Sequence, residues 1–274
     1  MTWKRLVIAG WLLAACERPA ATPPTNAEAA RQVFGGGVEW VDLSHDFGPT
    51  TIYWPTASAF RLERVFAGRT PAGHWYEANN FQAAEHGGTH LDSPVHFAEG
   101  RRTTDSVPLA NLIGPAVVVD VRDSAASNPD YLVSVADLAR WEHAHGRIPD
   151  GAIVLLRTGW AARWPDRARY LGTADTGEAA TKRLHFPGLE PAAARFLVTE
   201  RRIAAAGLDS PSIDAGPSTT FESHVVLMSE NVPAFENLAA LDRLPETGAY
   251  VVALPMKIAG GSGGPLRIVA ALPR

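Results

Sequence analysis

A chain of 274 residues with 46% hydrophobic and 20% charged residues has the make-up of a soluble globular protein able to bury a substantial core. Its formal net charge of −4 and its lack of basic runs argue against nucleic acid as a partner. The lone cysteine, Cys16, leaves no second thiol for a disulfide within the chain.

In chain order, "MTWKRLVIAGWLLAAC" begins with Lys4 and Arg5, continues through an apolar stretch and ends in small residues, the three-part layout of a secretory signal. Leu13-Ala14-Ala15-Cys16 resembles a bacterial lipobox, in which the cysteine is lipidated and becomes the mature N-terminus. The plainer alternative is an ordinary signal with a chance cysteine. The apolar run is too short for a membrane-spanning helix. The expectation is an exported, periplasmic protein that touches the membrane only through a lipid anchor at Cys16. Residues 17–37, rich in Pro, Ala, Thr and Gly, read as a flexible linker. No second linker or repeat follows, so a single domain is expected over 38–274.

Aromatic residues then gather in "TIYWPTASAF" and "GHWYEANNF". Large aromatics are mainly core, but two or three here can line a pocket for a planar aryl substrate; Trp54, Trp75 and Tyr76 are the candidates.

"AEHGGTHLDSPVHF" (83–96) follows. His86 and His90 have the i,i+4 spacing of a helical zinc motif, but Gly87 and Gly88 sit between them and Pro94 follows. Two adjacent glycines cost a helix roughly 2 kcal/mol relative to alanine. As extended chain, with period two, residues 86, 90, 92 and 96 fall on one side. Two imidazoles and a carboxylate there suit Zn²⁺ or Mn²⁺ alike, with the glycines allowing a kink and His96 standing beside the ion. The bland alternative is a surface cluster of histidines with Asp92 capping a turn; four such groups in phase favour the metal.

Apolar runs at 114–121, 151–160, 202–209, 224–228, 249–258 and 266–272 read as strands. Segments 134–146, 190–202 and 234–244 read as helices, with Ser134 as N-cap of the first and Pro191 in the first turn of the second. Two strands are too apolar to face water. The pattern predicts an α/β single domain, a mixed sheet with flanking helices. On this reading His224 opens a strand and Glu236 opens a helix, both at element ends where sites are often built. The bland alternatives are an edge histidine and a glutamate favoured by the helix dipole.

Gly260-Gly261-Ser262-Gly263-Gly264 satisfies the GxSxG pattern of a serine-hydrolase elbow, but no acid and no histidine follows Ser262. The loop reads instead as tight turns near a pocket, its amides reaching substrate oxygens, or as a plain turn between strands. His45 either approaches the pocket or caps a turn. Arg157 either binds a substrate carboxylate or pairs with an acid.

"HGGTHLDSPVHF" resembles the HxGTHxDxPxHF signature of the cyclase superfamily, which includes bacterial kynurenine formamidases and isatin hydrolases. The resemblance runs on through "VDLSHDF" (41–47), "LLRTGW" (155–160), "GLDSPSID" (207–214), "SHVVLMSENVPAFENL" (223–238) and "ALPMKIAGGSGGPLRIVA" (253–270). It implies a cyclase-like fold of the swivelling β/β/α type, with His86, His90 and Asp92 as metal ligands and His96 as catalytic histidine. Dinuclear formamidases hold a second metal with the bridging aspartate, a later histidine and a glutamate twelve positions beyond; His224 and Glu236 stand in that relation. "YWPT", "LHFPGL" and "PMKIAGGSGGPLR" look closer to the isatin hydrolase branch, in which a glutamine is expected where this chain has Gly216-Pro217. Relatives imply a homodimer.

The resulting expectation is a metal-dependent hydrolase opening the C–N amide bond of a small aryl substrate such as an isatin-like cyclic amide. A bound Mn²⁺ or Zn²⁺ would supply hydroxide at neutral pH, and His96 would act as general base and then acid. The alternatives are an N-formylkynurenine formamidase with a dinuclear site and a non-catalytic, lipid-anchored metal- or ligand-binding protein.

Overall fold

The structure is a computed structural model that describes residues 37–273. Cys16, the signal-like segment and nearly all of the 17–37 linker lie outside the described residues. No helix among the described residues is long and apolar enough to cross a membrane.

The strands are β1 (Val38–Asp42), β2 (Arg61–Arg69), β3 (Trp75–Gln82), β4 (His90–Asp92), β5 (Ile113–Asp120), β6 (Leu132–Val133), β7 (Ile153–Arg157), β8 (Gly188–Leu189), β9 (Ala205–Leu208), β10 (Ala234–Glu236), β11 (Ala249–Pro255) and β12 (Gly263–Pro273). Eight of them form one sheet in the order β1-β12-β11-β5-β7-β9-β10-β4. Because Gly263, Gly264 and Pro265 of β12 also pair with Asp92, Leu91 and His90 of β4, the sheet closes into a barrel, with β1 outside the ring. Strands β5, β7, β9 and β10 run parallel; β4, β11 and β12 run antiparallel to their neighbours.

Period-two alternation divides the ring strands between two cores. Leu91, Val118, Ile153, Leu155, Ala205, Phe235, Val251 and Ile268, drawn from every strand of the ring, fill the barrel. Val117, Val119, Val154, Leu156, Ala206 and Leu208 face the other way, against Leu138, Trp141, Ala194, Leu197, Leu227 and Met228. The last six belong to the helices Val135–His145, Pro191–Thr199 and Glu222–Ser229. With both faces covered, β5 and β7 read as continuous apolar runs. Ser134 caps its helix in a capping box with Asp137, and Pro191 occupies the first turn of the second helix, both as expected.

Two expected elements are exchanged. The 224–228 run is helical, within Glu222–Ser229, rather than a strand. A short apolar run does not distinguish the two states by periodicity. Here the decision comes from afar: Asp214 Oδ1 accepts from the Ser223 amide (3.0 Å) and Oδ2 from the His224 amide (3.1 Å), capping a helix whose own N-cap, Phe221, makes no side-chain cap bond. Conversely, 234–244 is not a helix. Ala234–Glu236 is wedged as β10 between β9 and β4, and Asn237 (φ 55°) and Ala240 (φ 52°) then turn left-handed. The β2–β3 hairpin is not among the strands that the apolar runs predict. It projects with Leu62, Phe66, Trp75, Tyr76 and Phe81 all exposed.

Candidate metal centre

The site sits on the outer face of the barrel where β4 and β10 pair, beneath the Glu222–Ser229 helix. Leu91 and Phe235 point into the barrel, so their neighbours His90, Asp92 and Glu236 point out, with Glu236 opposite His90 in the register. Gly88 adopts φ 58° and its amide bonds to Ile52 O, while a Cβ on Gly87 would lie 2.0 Å from the Tyr53 ring. The resulting kink folds His86 back towards β4. The extended, kinked chain expected from the glycines is therefore present, but the convergence does not come from one straight strand: β4 spans only His90–Asp92, and His96 lies in a 3-10 turn, Pro94–His96.

Asp92 is the hinge of two donor sets. Its Oδ1 lies 2.6 Å from His86 Nδ1 and 3.0 Å from His90 Nε2; its Oδ2 lies 3.2 Å from His224 Nε2. Glu236 completes the second set, Oε1 3.0 Å from His224 Nε2 and Oε2 3.5 Å from His90 Nε2. The sets His86/His90/Asp92 and Asp92/His224/Glu236 each have the compactness needed to hold an ion. This donor chemistry, imidazole nitrogen with carboxylate oxygen, fits a divalent transition metal at both places.

Outer contacts decide which ring nitrogen faces the centre. His90 Nδ1 donates to Gly88 O (2.9 Å) and His224 Nδ1 to Asp214 Oδ2 (2.6 Å), so both present Nε2. His86 is reversed, with Nε2 2.9 Å from Ser262 Oγ and Nδ1 towards Asp92. Charge at the centre is strongly biased. Burial disfavours charge on His90, yet the Asp92 and Glu236 carboxylates outweigh it and lift its pKa to about 9. Burial and the Asp92 charge push Glu236 up, while Asp92, despite its burial, is held well below the usual range by His90 and His86. The buried carboxylates favour positive charge at their midst.

His96 stacks on His86 with ring centroids 3.8 Å apart. Burial, helped by the neighbouring histidines, lowers its pKa to about 4, against the pull of Asp92. At neutral pH it is an uncharged base. Above it opens a cavity of about 310 Å³, walled by Ile52, Tyr53, Trp54, Phe97, Leu171 and Phe221 and floored by the donor residues and His96.

The structure thus brings together His86, His90, Asp92, His96, His224, Glu236 and Trp54. Trp75 and Tyr76 are not brought there: they stand on β3, 63% and 52% exposed, away from the cavity walls. Proximity in sequence to the histidines suggested otherwise; the hairpin carries them outward. His224 does not open a strand and Glu236 does not open a helix, although both reach the site. Arg157 is buried and pairs with Asp120 (3.0 Å) and with the carbonyl of Leu244 (2.7 Å), the acid-pairing alternative. His45 stacks on Trp164 at 4.1 Å and faces a separate small cavity. At Gly216 a Cβ would lie 2.6 Å from the backbone of Leu184 and His185, so a side chain there would require that backbone to move. Asp214, Ser262 and Glu85 carry no signal in the sequence for a place at this site, because their effect runs through His224 and His86.

Residues 41–215 match the Cyclase family model. The chain belongs to the cyclase family. Among curated members of this cyclase family, it is 32% identical over 263 residues to the isatin hydrolase of Roseibium aggregatum, covering 89% of this chain and 95% of that protein. It is 26% identical to the kynurenine formamidase of Salinibacter ruber, covering 84% of this chain and 95% of the relative. Among solved structures, isatin hydrolase A from Labrenzia aggregata bound to benzyl benzoate superposes with a TM-score of 0.79 at 34% identity, covering 90% of this chain and 99% of that one. An isatin hydrolase bound to the product analogue thioisatinate does so at 0.79 and 30% identity, covering 90% and 97%.

Proposed function

We propose that this chain is a metal-dependent amidohydrolase that opens the C–N bond of a small planar aryl amide, a cyclic amide of the isatin type. The observation that carries the reading is one cavity, aromatic in its walls, whose floor holds both Asp92-centred donor sets and the neutral His96.

His86, His90 and Asp92 would hold one divalent ion and Asp92, His224 and Glu236 a second, which would supply Lewis acidity and a more acidic water. Trp54, Phe97 and Phe221 flank a planar ring and exclude bulk water. Uncharged at neutral pH, His96 takes a proton from the attacking water on its ring nitrogen and returns it to the departing nitrogen. The C–O bond forms as the C–N bond breaks, leaving a carboxylate and an amine. Mn²⁺ and Zn²⁺ both suit the donors.

The protein works as a homodimer, its second copy covering the apolar side chains of the β2–β3 hairpin, which the described residues leave in solvent. It is exported and anchored at Cys16, on the strength of the signal-like N-terminal sequence.

The test is hydrolysis of isatin and of N-formylkynurenine by metal-stripped protein, with Mn²⁺ or Zn²⁺ added back in turn. Metal-dependent turnover of isatin is expected. Preference for N-formylkynurenine would move the chain to the formamidase side of the family; metal binding with turnover of neither would favour a binding protein.

A further inference from the structure

We infer that Ser262 and Glu85 are a positioning pair for His86, fixing the ring tautomer that presents Nδ1 to the metal. The inference rests on the metal reading of the site. It gives the glycine loop 260–264 a task distinct from that of a serine nucleophile or a plain turn.

The direction of each hydrogen bond follows from what each group can donate. Glu85 Oε2 accepts from the Ser262 amide (2.9 Å) and from the Ser262 hydroxyl (2.7 Å). A carboxylate only accepts, so the hydroxyl proton is committed to it. Ser262 Oγ then has only lone pairs left for His86 Nε2, 2.9 Å away. The His86 proton must therefore sit on Nε2, which leaves the lone pair on Nδ1, facing Asp92 Oδ1 at 2.6 Å. His90 and His224 receive the same service from the Gly88 carbonyl and from Asp214. Of the three ligand histidines, His86 alone is held through a two-residue relay.

The loop around Ser262 is held in place. The Ser93 amide donates to Ser262 O (2.8 Å), the Thr104 amide and hydroxyl to Gly261 O (2.9 and 3.0 Å), and the Gly260 amide to Asp105 Oδ1 (3.0 Å). Its glycines allow the close approach. A Cβ on Gly263 would lie 2.5 Å from His86 Cε1, and one on Gly261 would lie 2.9 Å from Glu85 Oε1. Side chains at either position would push the serine hydroxyl off the imidazole or the carboxylate off the serine.

The experiment is competition titration of Zn²⁺ into metal-free wild type, Ser262→Ala, Ser262→Thr, Glu85→Ala and Glu85→Gln. It is paired with ¹⁵N NMR of the histidine rings in the Zn²⁺-loaded proteins. In wild type, His86 is expected to carry its proton on Nε2. Ser262→Ala and Glu85→Ala are expected to weaken Zn²⁺ binding about 10- to 100-fold and to abolish that single tautomer, with the melting temperature of the metal-free protein unchanged. Ser262→Thr, which keeps the hydroxyl, and Glu85→Gln, which keeps an acceptor oxygen, are expected to retain most of the affinity and the tautomer. Wild-type affinity and tautomer in Ser262→Ala, or a wild-type His86 protonated at Nδ1, would overturn the inference while leaving the metal site intact. A wild type that binds no Zn²⁺ or Mn²⁺ would overturn the metal reading itself, and the inference with it.

Discussion

Between β4, β10 and the Glu222–Ser229 helix, polar groups are partnered, with His90, Asp92, His224 and Glu236 buried and His86 half-buried: each lies within hydrogen-bond distance of another donor or acceptor. On the β2–β3 hairpin the reverse holds, with Leu62, Phe66, Trp75, Tyr76 and Phe81 standing in solvent. Both arrangements cost free energy in an isolated chain. In the first the cost is desolvation of charge, offset only when carboxylates, imidazoles and a cation are together. In the second the cost is wetted apolar surface, and none of the described residues covers it. On the proposed function, the cost in the cluster is met by a divalent ion and that on the hairpin by a second copy of the chain.

The sharpest way to break the cluster is at the residue both donor sets share. Asp92→Asn is expected to lose metal, read by elemental analysis, and to bring turnover down to the level of metal-stripped protein. His96→Ala separates chemistry from binding: kcat should fall by about 10² to 10⁴ with metal content unchanged. Retained turnover would remove His96 from the proton path. Asp214→Asn tests the outer contact to His224, and metal affinity is expected to fall about 10- to 100-fold in a competition titration.

The hairpin should answer to a different measurement. Under the proposed dimer, replacing Phe66 and Trp75 together by serine is expected to shift the protein from dimer to monomer in sedimentation velocity, and a monomeric wild type would overturn that proposal. Unfolding free energy of the monomeric domain should move far less than for a core substitution, since Trp75 is mostly in solvent and Phe66 packs on Tyr76 of the same hairpin. A variant that stays dimeric would place the subunit contact elsewhere.

The smallest effect belongs to neither region. Burial raises the Asp120 pKa, but hydrogen bonds from Arg122 and Arg157 overcome this and set it at about 2. A folded-state pKa below the unfolded value of about 3.9 stabilises the fold above that pH and loses its contribution as pH falls towards 2. Asp120→Asn should therefore flatten the acid limb of a stability-versus-pH curve between about pH 4 and 2. The carboxylate is partly solvated, which keeps the effect below about 1 kcal/mol.

The half of the site that was legible in sequence is the half made locally. His86, His90, Asp92 and His96 lie within one short segment, and Gly87 and Gly88 exclude the helix that would otherwise explain their spacing. β5, β7, β9, β11 and β12 were legible for a related reason, since sustained apolar runs bounded by turn residues need both faces covered wherever they end up. The His224–Glu236 pair was reached by resemblance, with both its elements misread. Whether "HVVLM" is helix or strand depends on Asp214 arriving at its first amides, and whether "AFE" is strand or helix depends on open edges at β9 and β4.

The sequence by itself determined the chemistry available and the local bend that gathers the first donor set, because residue type and glycine conformational freedom are properties of short segments. Only the tertiary structure decided the rest: that the sheet closes on itself, that His224 and Glu236 come to the far side of Asp92, that Ser262 and Asp214 fix the histidine tautomers, and that Trp75 and Tyr76 leave the pocket. Apart from the hairpin, a local pairing of 61–69 with 75–82 that carries Trp75 and Tyr76 outward, each of those outcomes is a contact between residues separated in the chain. Its energy exists only once the barrel has brought both partners out of water and into range.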